Sequence, residues 1–159
     1  PIALRYPRGR GVGVDVDTSP IPVEIGKGEM ISDGEDVALI AVGSSVSEAE
    51  IARGMLAEKG ISAAVINARF VTPLDRDLIL DAARRIGCVV TVEEHMIDGG
   101  FGSAVLELLA DNDITDCRVR RIGVRQTFVE HGTQKILRSK YEVDAEAVVK
   151  AALEMVKTE

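Results

Sequence analysis

From residue 26 onward, apolar residues alternate between two spacings. Residues 36–44, "DVALIAVGS", form an unbroken aliphatic run, the mark of a strand buried on both faces. Next, "SEAEIARGMLAEKG" places Ile51, Met55 and Leu56 at helical spacing. Ser47 and Glu50 suggest a capping box at its start, and Gly60 a stop.

The unit repeats. "SAAVINARFV" predicts a strand, and "TPLDRDLILDAARRIG" a helix with Pro73 near its first turn and Gly87 at its end. Asp75 and Asp77 open that helix, where negative charge complements the helix dipole. "CVVTVEE" and "GSAVLELLADN" predict a third strand and helix. "CRVRRIGV" alternates polar and apolar positions, as an edge strand does, and "VDAEAVVKAALEMVK" is an amphipathic closing helix. Alternating β and α predicts an α/β fold: three αβα layers around a mostly parallel sheet, with right-handed crossovers and helices on both faces.

The front of the chain differs. "PIALRYPRG" reads as a short strand ending at a proline corner, followed by a stretch rich in glycine and proline with no helical period, the composition of a linker. Arg5, Arg8 and Arg10 make a dense basic cluster in a chain whose formal net charge is −7.

Composition narrows the partners. The 46% hydrophobic content is almost all aliphatic; there is no Trp, and aromatic residues make up 3%. Acidic charge and scarce aromatics disfavour nucleic acid as a partner. No apolar run is long enough for a membrane span and no signal-peptide pattern is present, so a cytoplasmic protein is expected. Cys88 and Cys117 lack CxxC spacing and read as reduced, buried thiols.

The glycine turn of "EEHMIDGGFGSAV" sits between a strand and a helix, where loops cradle phosphates. Its spacing is GGxG, however, and Glu93, Glu94 and Asp98 would repel an anion, so a tight packing turn is expected. His95 and His131 are the only histidines, and no third metal ligand is identifiable beside them. No GxSxG elbow, P-loop or HExxH occurs, leaving the catalytic and metal sites without candidates.

Taken in order and spacing, "RYPRG", "IGKGE", "VALIAVGS", "NARFVTPLD", "VTVEEHMIDGGFGSAV" and "FVEHGTQ" resemble the carboxyl end of 1-deoxy-D-xylulose-5-phosphate synthases. The resemblance implies a transketolase C-terminal-like domain over residues 26–159. Residues 1–13 would then end a preceding pyrimidine-binding domain, with residues 14–25 as a linker. It further implies that the complete enzyme condenses pyruvate with glyceraldehyde 3-phosphate, releases CO2, uses thiamine diphosphate and Mg²⁺, and works as a homodimer. This chain is expected to be inactive alone and to bind no cofactor, its partners being the upstream domains. Arg8 takes the position of the family's substrate-phosphate arginine, with Arg5 a lesser candidate. Two alternatives stay open: the matching domain of a transketolase or ketoacid dehydrogenase β subunit, and a free-standing nucleotide-binding module.

Overall fold

A computed structural model of the chain describes residues 1–7 and 19–156. Strands β1 (Glu29–Ser32), β2 (Val37–Ala41), β3 (Ala63–Asn67), β4 (Cys88–Met96) and β5 (Arg118–Val124) form one sheet in the order β1-β3-β2-β4-β5. β1 runs antiparallel to β3, and the remaining pairs are parallel. The expected three-layer architecture is therefore present, with "CRVRRIGV" as an edge strand.

Alternation within the central strands decides which helix goes where. Val37, Leu39 and Ala41 face one side with Val65, Val90 and Val92, under α1 (Ser45–Ala57) and α5 (Ala145–Val156). Ala38 and Ile40 face the other side with Ile66 and Val89, under α2 (Arg76–Ile86) and α3 (Phe101–Ala110). Every side chain of β2 is fully buried. Each large aliphatic residue so enclosed contributes about 1.5–3 kcal/mol relative to exposure.

Local signals account for most boundaries. Gly87 ends α2 in the left-handed conformation at φ 68°, as a C-cap glycine does. Pro73 lies just ahead of α2, whose N-cap is Asp75: the Asp75 carboxylate accepts from the Leu78 amide at 3.2 Å and from the Gly28 amide at 3.0 Å. One carboxylate thus caps the helix and ties down the entry to β1.

Three expectations need correction. α1 starts before Ser47, at Ser45, and Ser47 Oγ donates back to the Ser44 carbonyl at 2.8 Å instead of capping an amide. Its inward face is Ala49, Ala52 and Leu56, and Ile51 is exposed; small alanines let the helix approach the sheet closely, which the search for bulky apolar spacing overlooked. Residues 1–7 form no strand, because no neighbouring strand of this chain offers them a hydrogen-bonded ladder. β1, four polar-flanked residues paired antiparallel with β3, was not anticipated.

Candidate functional site

In an open parallel sheet the crevice at the carboxyl ends of the strands, where the chain winds opposite ways, is the usual ligand site. Here β2 leads into α1 on one face, and the adjacent β4 leads into α3 on the other.

Glu93, in the carboxyl-terminal half of β4, is fully buried. Its carboxylate accepts from the Phe101 amide at 2.7 Å and the Gly102 amide at 2.8 Å. These are the first amides of α3, the group that would receive a phosphate. The glycine turn therefore caps itself with a carboxylate. Gly100 permits it: a Cβ there would lie 2.3 Å from Glu93 Oε2 and 2.3 Å from the Met96 carbonyl oxygen. Gly100 has φ −83°, so close approach and not left-handed backbone explains this glycine. Gly99 does carry positive φ, at 68°. Arg121 completes the turn by donating to the Ile97 carbonyl at 2.8 Å and to Ser103 Oγ at 2.7 Å.

Glu94 points into a second, charged cluster. Arg138, on the short helix α4 (Gln134–Lys140), donates to Glu94 Oε1 at 2.5 Å, Glu48 Oε1 at 2.7 Å and Ser44 Oγ at 2.9 Å. Glu48 Oε2 accepts from the Ala145 amide at 3.0 Å, capping α5. One guanidinium thus joins α1, the end of β4 and α4, and through Glu48 reaches α5. Burial pushes Glu94 up, but hydrogen bonds from Ser44, Arg138 and Arg5 outweigh it and hold the carboxyl below its ordinary value. Desolvation pulls Arg138 down, and Glu94 and Glu48 more than restore it.

Arg5 meets this cluster from outside: its Nη1 lies 3.2 Å from Glu94 Oε2, with the Arg5 side chain 58% exposed. Arg5 and Pro7, with Glu94, Arg138, Val129, Leu137 and other side chains, line a cavity of about 290 Å³. Arg8, the principal expected phosphate ligand, lies outside the described residues, as does Arg10.

His95 Nδ1 stands 3.5 Å from Glu93 Oε2, and His131 is exposed in the loop before α4. Thr133 caps α4 as expected, accepting from the Ile136 amide. Glu130 in the same loop takes Lys140 and the Tyr141 hydroxyl, and these bonds, Lys140 first, hold its carboxyl down at about 2. Beyond this anchor Phe128 is fully exposed, with Val129 and Ile136 partly so. Ile2, Leu4 and Tyr6 are also exposed.

Among the described residues no group of three or more His, Cys, Asp or Glu is gathered to hold a metal. Both cysteines are free; Cys88 is buried as expected, but Cys117 is only half-buried, and desolvation raises Cys88 and lifts Cys117 to about 11. No helix among the described residues is long and apolar enough to cross a membrane.

Arg138 and Glu48 escaped the sequence reading. They stand 90 residues apart, in no motif of fixed spacing. A charged residue inside "KILRSK", on a helix too short to show an inward face, gave no separate signal.

The sequence profile described as "Transketolase, C-terminal domain" matches residues 26–148. The chain belongs to that family. Among curated proteins, this transketolase C-terminal domain is 55% identical over 95% of its length to "1-deoxy-D-xylulose-5-phosphate synthase 1" of Geobacter sulfurreducens. It is 47% identical over 98% to the synthase of Halothermothrix orenii, and 52% identical over 99% to that of Thermomicrobium roseum. It spans only about a quarter of these relatives (24%, 24% and 25%). The fold matches a solved structure titled "Split gene transketolase, inactive beta4 tetramer" with TM-score 0.80 and 37% identity, over 86% of this chain and 44% of that one.

Proposed function

We propose that this chain is the carboxyl-terminal domain of a 1-deoxy-D-xylulose-5-phosphate synthase, a homodimeric, cytoplasmic transferase. That enzyme condenses pyruvate with glyceraldehyde 3-phosphate and releases CO2. The observation that carries the reading is 47–55% identity to proteins of that name along nearly all of this chain.

On this reading, residues 1–13 end the pyrimidine-binding domain, residues 14–25 are the linker and residues 26–159 the third domain. The donors described here do not fit thiamine diphosphate and Mg²⁺. The α3 amides that could take a diphosphate are filled by Glu93, and among the described residues no carboxylate cluster gathers around a metal position. Both groups are therefore assigned to upstream domains. The exposed apolar residues Ile2, Leu4, Tyr6, Phe128 and Ile136 support docking against that remainder and its dimer mate. Arg8 holds the aldehyde's phosphate: a guanidinium matches phosphate oxygens two at a time and stays charged at every working pH. Arg5 is less suited, because Glu94 already engages it.

The domain alone is inactive on this account. The test is an assay of the full-length gene product and of residues 1–159 with pyruvate, glyceraldehyde 3-phosphate, thiamine diphosphate and Mg²⁺. The account expects 1-deoxyxylulose 5-phosphate and CO2 from the full-length protein only. A full-length protein that instead transfers a two-carbon ketol unit between sugar phosphates without releasing CO2 would make it a transketolase.

A further inference from the structure

We propose that the cavity between β5 and α5 binds a phosphate group, free or carried by a small ester. This site needs neither Arg8 nor the reaction proposed above.

The cations come first. Residues 118–125 hold four arginines and no carboxylate, in a chain whose formal net charge is −7. Three of them, Arg120, Arg121 and Arg125, line a cavity of about 160 Å³ together with Lys150 of α5. Two carboxylates also reach it, and neither closes it. Glu154 stands 3.8 Å from Arg120 and Glu142 3.8 Å from Lys150, with all four side chains more than half exposed. Ion pairs so long and so exposed contribute little, and an incoming dianion can displace them. Arg125 is exposed, and its guanidinium has no partner among the described residues. The cavity wall therefore carries an excess of positive charge.

The strand adds neutral donors. Arg118 donates its amide to the Gly87 carbonyl at 2.9 Å, and the Val124 carbonyl accepts from the Ile97 amide at 2.8 Å. Even-numbered residues of β5 thus turn their backbone groups toward β4. The amides of Arg121 and Gly123 point the other way, to an edge that no strand of the described residues pairs. Both residues line the cavity. Guanidinium forks beside unpaired amides are the donors that phosphate oxygens accept from.

Charges on an edge strand also guard it against pairing with another sheet. That role needs charge on the strand alone. It does not account for Lys150, which comes from a helix, or for Arg125, which lies past the strand's end at Val124. The small volume and the two flanking carboxylates suit one compact dianion and not a polyanion.

The experiment is a calorimetric titration of the full-length protein, at fixed ionic strength, with inorganic phosphate and with glycerol phosphate. Wild type is compared with Arg125→Gln, Lys150→Gln and Arg53→Gln, the last an exposed cation on α1 that serves as control. Saturable binding with a Kd of about 0.1–1 mM is expected. The Arg125 and Lys150 variants should each weaken it about five- to tenfold, and the Arg53 variant should not change it. The difference between wild type and Arg125→Gln is the readout, so phosphate held elsewhere in the full-length protein does not interfere. In amide spectra of residues 1–159, the shifts should concentrate at Arg121 and Gly123. Equal affinity for the two ligands would identify free phosphate as the ligand, and tighter binding of glycerol phosphate a phosphate ester. Arg125 and Lys150 are both exposed, so neither substitution threatens folding. Wild-type affinity in both variants, or shifts that spread over all surface cations without saturating, would overturn the proposal and leave the arginines as guards of the sheet edge.

Discussion

The Glu93 carboxylate and the Phe101 amide, eight residues apart, meet at 2.7 Å and close the glycine turn on itself. A fully buried carboxylate that accepts two helix amides is a strong cap, since each charge-assisted bond is worth about 1.5–3 kcal/mol. Glu93→Ala should therefore destabilise the domain by about 2–4 kcal/mol in urea unfolding. Phosphate at millimolar concentration should not restore the lost stability, because the void is shaped for a side chain.

The two glycines of the turn should respond differently to alanine. At Gly100 a methyl group would strike Glu93 Oε2 and the Met96 carbonyl, so the cap must be displaced and a loss of more than about 2 kcal/mol is expected. At Gly99 nothing lies within 4 Å of a new Cβ, and only the φ of 68° resists. Backbone strain alone costs about 1 kcal/mol. Equal losses in thermal or urea unfolding would contradict this division.

Arg138 should be the costliest surface-proximal cation to remove. Arg138→Met leaves Glu48 and Glu94 facing each other with their main counter-charge gone, at a cost of about 3 kcal/mol. A double-mutant cycle with Glu48→Gln should recover a coupling of about 1–3 kcal/mol, because the two side chains share one network. Purely additive losses would show that Glu48 acts only as the cap of α5.

Glu94 gives this network a pH signature. Its folded carboxyl is held below the ordinary 4.5, so its contribution is complete above about pH 4.5 and disappears as pH falls through the folded value. Stability measured by urea from pH 6 to pH 3 should fall more steeply for the wild-type chain than for Glu94→Gln. Parallel curves would mean that the carboxylate gains nothing from its partners.

Much of the fold was legible because it is written in local runs. The aliphatic block of β2, the Gly87 stop and the edge-like alternation of β5 each read directly from neighbours in sequence. The face of α1 did not, since Ala49 and Ala52 contribute by being small, which a search for bulky spacing passes over. β1 was hidden because it owes its form to pairing with β3 and not to its own composition. At the site, the carboxylates of "VEE" were recognised as hostile to an anion, but their separate tasks were not. Glu93 turns inward to cap α3 and Glu94 bridges two arginines, an assignment set by strand alternation and by Arg138 arriving from 44 residues away. The family block "RYPRG" supplied Arg8, while the ion pair of Arg5 with Glu94 required the fold.

The most direct measurement is the effect of Arg8→Ala on aldehyde discrimination in the full-length enzyme. A charge-assisted phosphate contact is worth about 1.5–3 kcal/mol, or roughly ten- to a hundredfold in apparent affinity. KM for glyceraldehyde 3-phosphate should rise by that factor, with pyruvate and unphosphorylated glyceraldehyde little affected. Arg8→Lys should recover only part of the loss, since a point charge lacks the two-pronged fork. Equal impairment with both aldehydes would contradict the account and make Arg8 a structural residue of the domain junction.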